Sequence, residues 1–273
     1  MIITVVGLGV VGGSFVKALK GQGHEVYGVD VDEETLARAK ADGCIKEGFV
    51  DGQEIIKKSD MTIICLYPSL VLDYIKNHEF KKGSIITDAV GVKTHFLNEA
   101  MDLLKDKDVE FVSGHPMAGR ENKGYLYASK EVFQGANYIL IQHEENSKSA
   151  IAMMEQFVSN LGFHSVKIMS PQAHDEIISF TSQLPHVIAV SLIDSDNQKY
   201  DTGKYIGDSY RDLTRIANIN EDLWTELFFT NKNNLLKSIQ GFDILKKAIK
   251  EEDADTLKAM FIESSKRRRN LEK

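Results

Sequence analysis

The sequence has little cysteine, no surplus of basic charge and no long hydrophobic run, and each shortage removes a class of function. Cys44 and Cys65 are the only cysteines in 273 residues and form no CxxC pair, so they supply neither a thiolate metal site nor a dithiol redox centre. Cys65 lies within Met61-Thr62-Ile63-Ile64-Cys65-Leu66, which reads as a buried strand holding a packed thiol. Lys and Arg number 33 against 40 Asp and Glu, a formal net charge of -7, whereas nucleic-acid binders grip phosphates with excess cations. The one basic run, Lys266-Arg267-Arg268-Arg269, reads as a solvated last helical turn whose cations complement the carbonyl end of the helix. No apolar run approaches the roughly 20 residues that cross a bilayer. The N-terminus runs into Ile2-Ile3-Thr4-Val5-Val6 without a basic segment or a small-residue cleavage site, which predicts a cytoplasmic protein. No internal repeat and no low-complexity segment stands out.

What is present is enough apolar residue, 42%, to bury two cores. From residue 1 to about 169, short apolar strands alternate with segments of helical period, the pattern of a doubly wound parallel sheet. Strands are expected at 2–6, 25–29, 61–66, 84–87, 109–113, 137–142 and 164–168, with helices near 13–20, 33–42, 69–77, 92–104 and 147–161. After Ser170-Pro171 the strand signals stop, and residues 170–273 are expected to form an all-α second domain. There, Trp224, Leu227, Phe228, Asn231, Leu235, Ile239, Phe242, Leu245 and Ile249 form a stripe at mostly three- or four-residue steps. A helical domain of this size can hardly cover such a stripe alone, which suggests a homodimer. A long core helix within one subunit is the alternative.

Gly7-Leu8-Gly9-Val10-Val11-Gly12 follows the first strand directly and opens a helix. In that context GxGxxG is a dinucleotide signature: Gly7 permits the tight turn, Gly9 admits the pyrophosphate and Gly12 allows close helix–strand packing. Asp30, at the end of the second strand, stands where a carboxylate accepts from the adenosine ribose hydroxyls. It would repel a 2'-phosphate, and Val31-Asp32-Glu33-Glu34 offers no arginine, so NAD is favoured over NADP. Tyr67 and Pro68 end the third expected strand on the ligand side of the sheet and border the cofactor in this reading.

A second cluster, Ser113-Gly114-His115-Pro116-Met117-Ala118-Gly119-Arg120-Glu121, follows the strand around Phe111. His115, fixed between Gly and Pro, reads equally as a cleft base and as a histidine serving loop backbone. Gly114-His115-Pro116-Met117-Ala118-Gly119 resembles the GHPxAG signature of prephenate and arogenate dehydrogenases. Tyr210-Arg211-Asp212-Leu213-Thr214-Arg215-Ile216-Ala217 resembles their second-domain motif, and Ser182-Gln183-Leu184-Pro185-His186 and Trp224 fall at matching places. The likeness spans essentially the whole chain.

That resemblance implies NAD-dependent oxidative decarboxylation of a cyclohexadienol in tyrosine biosynthesis, with prephenate preferred to arogenate. It implies that neutral His115 accepts the 4-hydroxyl proton and that Arg215 holds the ring carboxylate through its planar fork. Arg211 lies where the family often has a basic residue, and Glu121 where a carboxylate gates the pocket by pairing with it; an exposed ion pair is an equal reading. His186 and Trp224 either shape the substrate's side-chain end or are core packing. Asp88-Ala89-Val90-Gly91-Val92-Lys93 matches the family's segment beneath the nicotinamide, except that Gly91 replaces the usual Ser. A β-hydroxyacid-type dehydrogenase is the competing enzyme, but His174-Asp175-Glu176-Ile177-Ile178-Ser179 lacks the lysine such enzymes place there. A non-catalytic NAD sensor would need neither a cleft histidine nor paired arginines.

Overall fold

The computed structural model describes residues 1–119 and 122–271. Strands β1 (Ile2–Val6), β2 (Glu25–Val29), β3 (Glu47–Phe49), β4 (Met61–Ile64), β5 (Ile85–Asp88) and β6 (Glu110–Phe111) form one parallel sheet in the order β3-β2-β1-β4-β5-β6. The strands read as near-continuous apolar runs because helices cover both faces. Ile3, Val5 and Ile63 pack on one side with Phe15 and Leu19, while Ile64 and Ile86 pack on the other with Val71 and Ile75. The crossovers are α1 (Val10–Leu19), α2 (Glu33–Ala41), α3 (Gln53–Ile56), α4 (Pro68–Asn77) and α5 (Leu97–Leu104). Strand order reverses between β1 and β4, so the ligand crevice opens at the ends of those strands. Cys65 lies just past β4, and burial pushes its thiol pKa up; Cys44 is buried, and both are free.

The single sheet expected for the first domain is in fact two. Only Glu110 and Phe111 stay in the parallel ladder. From Gly114 the chain pairs antiparallel, as β7 (Gly114–Pro116), with β8 (Asn137–Ile141), and β8 then pairs parallel with β9 (Ser165–Met169) after α6 (Lys148–Ser159). His115 therefore sits within a short strand, opposite Ile139, rather than in a loop past one. The helix expected from residue 92 starts only at Leu97, and the main-chain amides of Lys93 and Thr94 just before it donate to the Asp175 carboxylate.

Ser170 caps the next helix by accepting from the Ala173 amide, and Pro171 occupies its first turn. Helix α7 (Pro171–Ile178), a π turn (Ser179–Gln183) and α8 (Leu184–Asp194) make one rod of 24 residues, long and apolar enough by length and composition to cross a membrane. That rod departs from the expectation that no apolar run reaches such a length. Its polar residues His174, Asp175, Ser179 and Gln183 are buried against the rest of the protein. Helix α9 (Asp208–Thr214) and a 3-10 turn (Arg215–Ala217) follow, then α10 (Glu221–Thr230), α11 (Lys232–Lys250) and α12 (Ala254–Asn270). The stripe from Trp224 to Ile249 is thus divided at Asn231, whose backbone (φ -112°, ψ 22°) leaves the helical region. Lys266 to Arg269 lie exposed in the last two turns of α12.

Candidate active site

The candidate cofactor cradle follows from three glycines and one aspartate. Gly7 takes φ +82°, and a Cβ there would lie 2.7 Å from the Cys65 carbonyl oxygen; a Cβ on Gly12 would lie 1.8 Å from the Gly7 carbonyl oxygen. Neither position accepts a side chain. Gly9 instead has open space where its Cβ would be and stands as the N-cap of α1 with no side-chain cap, which leaves the helix N-terminus open to an anion. Asp30 is pinned over this turn, accepting from the Leu8 amide at 2.6 Å and the Asp32 amide at 2.9 Å. Pro68 begins α4, and the Tyr67 hydroxyl accepts from Asn220 at 2.9 Å, tying the end of the cradle to α10.

Across the sheet, a buried acid sets the state of two histidines. The Asp175 carboxylate accepts from the Lys93 amide (2.8 Å), the Thr94 amide (2.8 Å), the Thr94 hydroxyl (2.5 Å) and His174 Nδ1 (2.7 Å). Burial pushes this carboxyl pKa up, but the bonds from His174 and Thr94 and the two amides outweigh it and hold it below the usual range. An ionised, fully satisfied carboxylate only accepts, so His174 carries its proton on Nδ1 and leaves Nε2 bare. His174 Nε2 meets His115 Nδ1 at 2.9 Å. His115 must then donate from Nδ1, which leaves its Nε2 bare and facing the Gly91 loop. A Cβ on Gly91 would stand 3.7 Å from that Nε2 and 3.3 Å from Leu227 Cδ2. Burial, then the neighbouring His174 and Lys93, hold the His115 pKa well below 6.5, so the ring is a neutral acceptor near neutral pH. His174 is likewise lowered, by burial above all, with Asp175 opposing.

The start of β7 is fixed from Asp88, at the end of β5, and from Lys93 beyond it. Lys93 is fully buried and donates to Asp88 and to the Gly114 carbonyl, each at 2.6 Å, while Asp88 also accepts from the Ser113 hydroxyl at 2.6 Å. Burial lowers the Lys93 pKa and the Asp88 carboxylate opposes it.

The prephenate dehydrogenase nucleotide-binding domain model matches residues 15–167, and the prephenate dehydrogenase dimerization domain model matches residues 170–263. The chain belongs to the prephenate dehydrogenase family. It is an NAD-dependent oxidoreductase by that membership. It is similar to prephenate dehydrogenase of Bacillus subtilis (strain 168), 29% identical over 93% of this chain and 72% of the relative. Among solved structures it resembles prephenate dehydrogenase from Aquifex aeolicus in complex with hydroxyphenyl propionate and NAD+ (TM-score 0.87, 26% identity, 98% of each chain). It also resembles Synechocystis arogenate dehydrogenase (TM-score 0.83, 25% identity, 99% of this chain and all 100% of that one).

The remaining residues expected at a family site fall in two places. His186, on α8, stacks on Trp224 of α10 with ring centroids 3.6 Å apart, and Trp224 meets Phe228 edge-on at 5.6 Å. One turn further along α10, Leu227 covers Gly91, so the stack and the histidine pair share a wall. Arg211 and Arg215 are exposed on α9 and the 3-10 turn, which pack against α8; Arg211 lies 3.3 Å from Asp208. Glu121, expected to pair with Arg211, lies outside the described residues. His174, Asp175 and Lys93 were not singled out as functional in the sequence. Their signals were slight: a His-Asp pair just inside a Ser-Pro helix start, and a lysine close behind the Gly91 loop.

Proposed function

We propose that this enzyme performs the NAD-dependent oxidative decarboxylation of prephenate to 4-hydroxyphenylpyruvate in tyrosine biosynthesis. Residues 1–169 form its cofactor half in this reading, and residues 170–273 its substrate and dimerisation half. The observation that carries the reading is the bare Nε2 of His115, held by His174 and Asp175 beside the Gly91 loop. The open glycine turn and Asp30 fit a dinucleotide without a 2'-phosphate, with Gly7, Leu8, Gly9, Val10, Val11 and Gly12 around the pyrophosphate and Asp30 at the ribose.

NAD, when bound, supplies the acceptor for the hydride from the substrate's C4. His115 Nε2 takes the 4-hydroxyl proton, which favours the developing carbonyl by roughly 10²- to 10⁴-fold. The charge that forms on His115 is stabilised through its Nδ1–H bond to His174 and onward to the Asp175 carboxylate. Arg215 holds the ring carboxylate, which leaves as carbon dioxide when the ring becomes aromatic; Arg211 adds positive charge nearby. His186 and Trp224 shape the side-chain end of the pocket, and Glu121 gates it.

The protein acts in the cytoplasm as a homodimer in this reading. Phe229, Ile244, Ile249, Phe261 and Ile262 are all at least 60% exposed on α10, α11 and α12, a surface that a second copy would cover. Arogenate is the alternative substrate, favoured by the likeness to the Synechocystis enzyme. Steady-state rates with prephenate and arogenate, each with NAD and NADP, test the assignment. The expected result is the highest kcat/KM with prephenate and NAD. A preference for arogenate would correct the side chain, and no cofactor reduction with either substrate would overturn the reading.

A further inference from the structure

A buried pair of amides lies behind the two histidines. Asn231 is 4% exposed at the junction of α10 and α11, and Gln183 is 1% exposed at the end of the π turn. Main-chain carbonyls fix how both amides point, because a carbonyl can only accept. Gln183 Nε2 donates to the Leu227 carbonyl at 2.8 Å, which turns its Oε1 toward Asn231. Asn231 Nδ2 donates to that Oε1 at 2.9 Å and to the Asp175 carbonyl at 2.8 Å, and its Oδ1 accepts from Asn234 at 2.9 Å.

The position is costly to fill this way. Asn231 falls on the apolar stripe, where a leucine would continue the packing, and instead it interrupts the helix. The π turn that delivers Gln183 is itself a rare backbone form. Both ends of the pair lead to one place. Asp175 holds His174, which holds His115; Leu227 covers Gly91, 3.3 Å from its Cβ position, opposite His115 Nε2.

We propose that Asn231 and Gln183 are positioning residues for the oxidation. They hold Asp175 and Leu227 in one frame, so that the tautomer of His115 and the wall facing its Nε2 are set together. Both amides are buried and act through Asp175 and Leu227. The proposal rests on the reading above in one respect, that His115 Nε2 receives the substrate's proton.

The test combines histidine-selective ¹⁵N labelling of the full-length enzyme with steady-state kinetics. In the wild type both His115 and His174 are expected to be protonated at Nδ1 and bare at Nε2, with His115→Asn and His174→Phe used to assign the signals. Asn231→Asp keeps the shape but turns both donors into acceptors, and Asn231→Leu and Gln183→Met keep the volume without the bonds. In these variants His115 should gain a population protonated at Nε2, and kcat should fall about 10- to 100-fold with KM and NAD affinity little changed. Adding Asn231→Asp to His174→Phe should cost clearly less than the same substitution costs in the wild type, because the path through Asp175 is already cut. Wild-type tautomers and kcat in a folded variant would overturn the proposal, as would independent, multiplying losses in the His174→Phe background. A wild-type His115 or His174 protonated at Nε2 would overturn it even if no variant folds. The ¹⁵N signals need no substrate, so failure here is distinguishable from failure of the substrate assignment.

Discussion

Asp30 has two tasks at one carboxylate. It closes the glycine turn through the Leu8 amide, and in the proposed function it also meets the adenosine ribose. Replacing it with serine keeps an acceptor for Leu8 and removes the charge that repels a 2'-phosphate, and Val31, 88% exposed, has room to become arginine. Asp30→Ser with Val31→Arg should move the NAD/NADP ratio of kcat/KM toward NADP by at least about tenfold. An unchanged ratio would mean that Asp30 does not face the ribose. Gly91 is a second residue where the local geometry gives a definite expectation. It is not among the glycines in the left-handed region, and a serine Cβ would meet only the flexible end of Leu227 closely. Its hydroxyl would stand near His115 Nε2. Gly91→Ser should stay folded and change kcat by less than about tenfold, the equivalent of a hydrogen bond of about 0.5–1.5 kcal/mol. Loss of activity in both Gly91→Ser and Gly91→Ala would point to packing against Leu227 instead.

At the scale of elements, legibility followed how local the cause was. Strands β1, β2 and β4 were readable because burial on both faces demands apolar runs, and the Gly7–Gly12 turn because its glycines answer to local backbone geometry. Strand β7 was not, since Gly-His-Pro carries no strand pattern and its pairing is supplied by β8, more than twenty residues later. The break between α10 and α11 was hidden for a similar reason. No proline or glycine makes it; Asn231 leaves the helix for hydrogen bonds to Asp175 and Gln183, residues far away in the chain. His174 and Asp175 passed unnoticed because the sequence shows neither their burial nor the loop amides at Lys93 and Thr94 that stabilise the carboxylate. His115, by contrast, was singled out from its motif, and the structure adds the partner that fixes its tautomer.

Over the whole molecule, the helical half presents an apolar surface with no covering in one chain, and α12 has no buried residue at all. A dimer should sediment at micromolar concentration, and Ile249→Glu with Phe261→Glu should shift it toward monomer. A wild-type monomer would reject the assembly. The two halves of the chain meet at His115, where the first contributes the histidine and the second the partner that fixes its tautomer. In the proposed reaction a neutral His115 removes the substrate's proton. Its most direct test is the pH profile of kcat/KM on prephenate with NAD for the wild type and for His115→Asn. Because burial favours the neutral ring, the wild-type rate should hold as pH falls through 6.5 and drop only below it. The variant should keep its NAD affinity, lose about 10²-fold or more in rate and show no such limb. A variant within about threefold of the wild type, with the same acid limb, would contradict the account.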